Sequence, residues 1–122
     1  MTYSDFLTGQ KPRLTENQIG VIEYLDKEFV KHDGVVRFIS YRVPFYKLNK
    51  RICYINPKKT GHIELCFMNG RPLSKEFSII QLHDRKWVGG IMVDCDVDIN
   101  IKQIQEVFSW AIHLDKAGIN PF

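Results

Sequence analysis

Residues 62–68 read HIELCFM, and their alternation decides the fold. Ile63, Leu65 and Phe67 share one parity, while His62, Glu64, Cys66 and Met68 share the other. That period of two is the pattern of a β-strand laying its first face on a core. Upstream, FYKLN and RICYIN are strand-like runs separated by a cationic break at residues 49–51, and they predict a hairpin. NPKKTG, with Pro57 and Gly61, supplies the next turn, and MNGRP supplies another after the strand. RKWVGGIMV adds a further strand, in which Gly89 and Gly90 mark a bulge or the close approach of another backbone. VVRFISYRV fits either a helical turn or a strand; only Val43 is settled, held extended by Pro44.

Helical periodicity brackets these strands. Thr15 and Gln18 have the spacing of a capping box, Ile19, Ile22, Leu25 and Phe29 fall on one face, and Gly34 is a stop, so the pattern predicts a helix over 16–32. Glu16, Glu23, Asp26, Lys27 and Lys31 are then left for the solvent side. A second stripe of Ile101, Ile104, Phe108, Ala111 and Ile112 predicts a helix over roughly 100–116, with Asp98 or Asn100 as N-cap and Lys116 and Gly118 as stop signals. The order predicts an α+β domain: a mostly antiparallel meander with N-terminal and C-terminal helices packed on one face. At 122 residues, 44% hydrophobic and 25% charged, the chain has room for one domain, residues 1–122, with residues 1–14 expected to be loosely ordered.

No run of about 18 apolar residues is present, and MTYSDFLTGQKPR lacks the layout of a signal peptide, so the expected location is the cytoplasm. Cys53, Cys66 and Cys95 are odd in number and widely spaced, which suits free thiols. The net charge is only +3, but it is unevenly placed: residues 34–93 hold eleven Lys or Arg against three acids, a net +8, and the flanks carry −5.

That basic middle carries the functional expectation. Its cations come from turns and strand edges of one sheet, and aromatics are threaded among them in YRVPFYKLNKRICYINPKK, residues 41–59. Tyr41, Arg42, Tyr46, Arg71, Arg85 and Lys86 are the candidate ligand-binding residues, holding a planar or anionic group by charge and stacking, with Tyr41 and Tyr46 expected to be exposed. The expected site lies between the open sheet face and the segment ending at Pro44. Anionic small molecules or an acidic protein surface are the expected partners. Nucleic acid is expected only through non-specific, salt-sensitive contacts, because no base-reading motif is present. No nucleophile is placed beside a base, so the expectation is binding without catalysis.

Two acidic or mixed clusters invite a metal. Asp94, Asp96 and Asp98 alternate as calcium-loop ligands do, but Ile99 and Gln105 stand where such a loop needs Gly and Glu, and capping of the following helix explains the acids as well. His62, Glu64 and Cys66 alternate on one strand face and would need help from another strand, such as Cys53, since i and i+2 positions lie about 7 Å apart.

SYRVPFY, ICYINPKKTGHIELCFMNGRPLS, DRKWVGGIMV and IQEVFSWAIHLD together resemble the YdhG-like family of small bacterial domains. The resemblance spans roughly residues 16–116 and rests on Tyr41, Pro44 and Phe45, then Ile63 to Phe67, Gly70 with Leu73, and Arg85 with Lys86. It implies an α+β fold similar in appearance to frataxin. Through the iron-chaperone branch of that family, it also implies iron as the one possible cofactor.

Overall fold

A computed structural model describes residues 1–120. Its elements run α1 (Tyr3–Gly9), α2 (Glu16–Val30), β1 (Val36–Ser40), β2 (Val43–Lys47), β3 (Arg51–Pro57), β4 (His62–Phe67), α3 (Gly70–Glu76), β5 (Gly89–Asp94) and α4 (Ile101–Lys116). The strands form one antiparallel sheet in the order β1-β2-β3-β4-β5, so the α+β meander is as the periodicities predict. No helix among the described residues is long and apolar enough to cross a membrane.

The helices cover one sheet face. Phe29 of α2 stacks on Phe108 of α4 with ring centroids 4.2 Å apart and meets Tyr46 of β2 edge-on at 5.1 Å. Ile55, Leu65 and Ile91 lie side by side in register beneath them and are fully or almost fully buried. Each such side chain contributes about 1.5–3 kcal/mol by leaving water. Two buried polar side chains pin the hairpin turns to the helices. Gln18 of α2 donates to the carbonyls of Lys58 and His62, at 2.9 and 3.0 Å, while Asp115 of α4 accepts from the amides of Asn49 and Lys50 at 2.9 and 3.1 Å.

The Thr15–Gln18 capping box forms in full, and Asn100 rather than Asp98 caps α4. Several expectations are corrected. Residues 1–14 are not loose: Tyr3–Gly9 is helical, capped by Thr2 and Asp5, and Phe6 is fully buried in the core. MNGRP does not make a plain turn but opens α3, because Gly70 packs directly on β5. A Cβ on Gly70 would stand 1.9 Å from the Gly89 nitrogen, which is the close backbone approach that the glycine pair foreshadows. Asp26 faces inward, where its carboxylate accepts from the Tyr46 hydroxyl at 2.7 Å and the Arg37 guanidinium at 2.8 Å. VVRFISYRV resolves into β1 and the start of β2, joined through Tyr41 and Arg42, both in left-handed conformation at φ 50° and 64°. A two-residue turn of that hand matches the twist of the flanking strands.

Candidate functional site on the outer sheet face

The sheet face away from the helices carries a second, smaller set of buried side chains. Strand register places Phe45 opposite Tyr54 and Tyr54 opposite Cys66, all on this outer side. Phe45 and Cys66 are buried, and the Phe45 and Tyr54 rings stack at 4.8 Å. The rings form the floor of a cavity of about 430 Å³, walled by Tyr41, Val43, Arg51, Asn56, Met68 and Val88. That volume lies within the roughly 300–1,000 Å³ of small-molecule sites.

Charge in this cavity is of one sign. The Arg51 guanidinium lies 5.0 Å from the centroid of Phe45 and 5.3 Å from that of Phe38, and Lys47 Nζ lies 5.4 Å from Phe38. Among the described residues no carboxylate lines the cavity and none forms a salt bridge with Arg51, Lys47 or Arg42. Tyr41 stands at the rim, 83% exposed, with its ring 6.2 Å from that of Phe45. Burial pushes the Tyr54 phenol well above its ordinary value, so its hydroxyl stays neutral.

The residues expected to bind are divided by the fold. Tyr41 lines the cavity, and Arg42 is exposed beside it in the same turn. Tyr46 is not exposed: opposite Cys53 in register, it faces the helices and is fully buried against Phe29 and Asp26. Arg85 is committed elsewhere. It donates to Glu64 Oε2 at 2.8 Å and to the Leu82 carbonyl at 3.0 Å, and lies across Glu64 and Cys66 on the outer face of β4. Arg71 donates through Nε to the Lys86 carbonyl and through its amide to the Trp87 carbonyl at 2.9 Å, so it secures the segment leading to Val88. The Lys86 ammonium extends over Trp87 at 5.9 Å. Thus Arg71 and Arg85 lie outside the cavity, which Val43, Phe45, Arg51, Tyr54, Asn56, Met68 and Val88 line together with Tyr41. Phe45 and Tyr54 follow from the FYKLN/RICYIN hairpin once its register is fixed. That no described acid pairs with Arg51 has no local signature, since it depends on where the acids lie in space.

The metal candidates do not converge. Glu64 is 4% exposed, paired with Arg85 and lying 3.6 Å from Lys58 Nζ. Burial opposes its ionisation, yet the Arg85 hydrogen bond and neighbouring charges hold its carboxyl below the ordinary value. Burial pushes the Cys66 thiol up to about 12, and Cys53 lies on the opposite sheet face, beside Phe67. Asp94 accepts from the Asp96 amide at 3.0 Å, Asp96 accepts from Asn17 at 2.7 Å, and His62 lies 3.8 Å from Asp94. Among the described residues no group of three His, Cys, Asp or Glu side chains can hold a metal ion. Iron, the cofactor implied by the family resemblance, therefore finds no fitting donor set here.

No protein-family model, curated protein or solved structure matches this chain.

Proposed function

We propose that the chain is a small-molecule binding domain whose outer sheet face takes up a planar anion. The observation that carries this reading is the Arg51 guanidinium, which has no salt-bridge partner among the described residues, beside the stacked Phe45 and Tyr54 rings in a cavity that no described carboxylate lines. An aromatic ring on the ligand lies in the cavity against that ring pair, and its carboxylate or phosphate meets Arg51 in a charge-assisted hydrogen bond. Asn56 and the neutral Tyr54 hydroxyl offer further polar contacts, while Tyr41 and Arg42 border the entrance. The concavity favours a small molecule over an acidic protein surface.

Calorimetry with 2-naphthoate and 2-naphthylmethylamine, the same ring with opposite charge, tests the reading. The carboxylate is expected to bind and the amine is not. Arg51→Ala is expected to weaken the carboxylate roughly tenfold, about 1.4 kcal/mol, and added salt is expected to weaken it further. Equal affinity for both probes, or a carboxylate affinity untouched by Arg51→Ala, would overturn the proposal.

A further inference from the structure

We infer that the free edge of β5 accepts an extended segment of a partner protein in which apolar residues alternate with lysine or arginine. β5 pairs on one side with β4 along its whole length, from Gly89 opposite Phe67 to Asp94 opposite His62. On the other side, among the described residues, only Gly90 is engaged, exchanging two bonds of 2.9 Å with Gln81. Strand alternation turns the N–H and C=O of Met92 and Asp94 to the same open side as those of Gly90. Among the described residues neither has a backbone partner there.

An open edge of this kind is ordinarily blunted by lysine, proline or a bulge. GGIMVD has neither lysine nor proline, its register with β4 is regular, and Met92 is 49% exposed. Beside the edge lies a cleft of about 250 Å³ whose apolar wall includes Ile79, Val93, Val97 and Ile104. A valine or leucine from an added strand fits such a cleft, because alternate side chains of that strand point into it. Asp94 and Asp98 also line the cleft, Asp96 is exposed between them, and no cation among the described residues lines it. Backbone pairing thus supplies affinity, the cleft selects an apolar side chain, and the acids select a cationic neighbour. The surface involves none of the residues of the outer-face cavity, so it stands or falls separately from the anion-binding reading.

Fluorescence anisotropy of the full chain with a labelled peptide of alternating valine and lysine, roughly eight residues long, tests the inference. Saturable binding is expected. It should weaken at least roughly tenfold when the lysines become glutamates or when Asp98→Lys is introduced, and disappear when alternate peptide amides are N-methylated. Met92→Pro, which removes an outward N–H, should abolish it too; if that variant does not fold, Asp98→Lys and the N-methylated peptide still decide. Undiminished binding of the N-methylated peptide, or the absence of saturable binding, would overturn the inference. So would sedimentation of the chain alone as a dimer that Met92→Pro dissociates, since the occupant would then be a second copy.

Discussion

The Arg85 guanidinium lies 2.8 Å from the Glu64 carboxylate, over a β4 face that alternation alone assigns to solvent. The pair is made possible by Gly90 on the neighbouring strand, where a Cβ would stand 2.3 Å from Glu64 Oε2. Arg85 is delivered by a tight turn whose central residues, His83 and Asp84, adopt φ values of 48° and 63°. A tight turn, a charge pair and a glycine are therefore one device on the outer face of β4.

Removing one member of this pair is expected to cost more than removing both. Arg85→Gln leaves Glu64 charged and desolvated, with an expected loss of roughly 3 kcal/mol. Glu64→Leu combined with Arg85→Leu should recover much of it. Urea unfolding of the two variants and the parent measures the difference; equal losses would show that the pair is not coupled.

Acid is expected to weaken the fold through the same pair. The folded-state pKa of Glu64 is lowered from its ordinary value of 4.5, so the unfolded chain binds the proton more readily. The stabilisation is fully present above that ordinary value and is lost as pH falls through the lower folded value. Unfolding midpoints measured from pH 6 down to 3 should fall less steeply in Glu64→Gln than in the parent. Parallel curves would remove Glu64 from the explanation.

Tyr46→Phe separates the two sheet faces. It removes a 2.7 Å hydrogen bond to buried Asp26, and about 1–2 kcal/mol of stability should be lost. The affinity for 2-naphthoate should not change, because Tyr46 faces the helices. A loss of affinity without a loss of stability would return Tyr46 to the binding surface.

The β1–β2 turn places stability against function. Tyr41 and Arg42 occupy left-handed conformations that Asn and Gly adopt more readily. Tyr41→Asn with Arg42→Gly is expected to raise stability by about 1 kcal/mol while weakening 2-naphthoate. Thermal denaturation and calorimetry of the one double variant read both effects.

What the sequence made legible follows the length of the periodic pattern. α2, α4 and β4 each repeat their period often enough to be read, and Ile22, Leu25, Phe29, Ile63, Leu65, Phe67, Ile104 and Phe108 are all core residues as expected. α1 and α3 are seven residues each, with one or two buried positions, too few for a helical period to stand out. Phe45 and Tyr46 are adjacent and both buried, so a strand covered on both faces gives no parity from which to choose the exposed ring. The site is legible only as a composition. Tyr41 and the basic middle point to it, but Arg85 and Glu64 are 21 residues apart, and the loop that brings them together leaves no local pattern. Pairing commits Arg85 to Glu64, whereas Arg51 has no salt-bridge partner among the described residues.

Amide chemical-shift mapping of the labelled protein during a 2-naphthoate titration tests the binding site most directly. Saturable shifts are predicted at Phe45, Arg51, Tyr54, Asn56 and Met68, lost in Arg51→Ala. Shifts centred instead on Lys58 and Lys59, or growing without saturation across all exposed cations, would contradict a defined anion site on the outer sheet face.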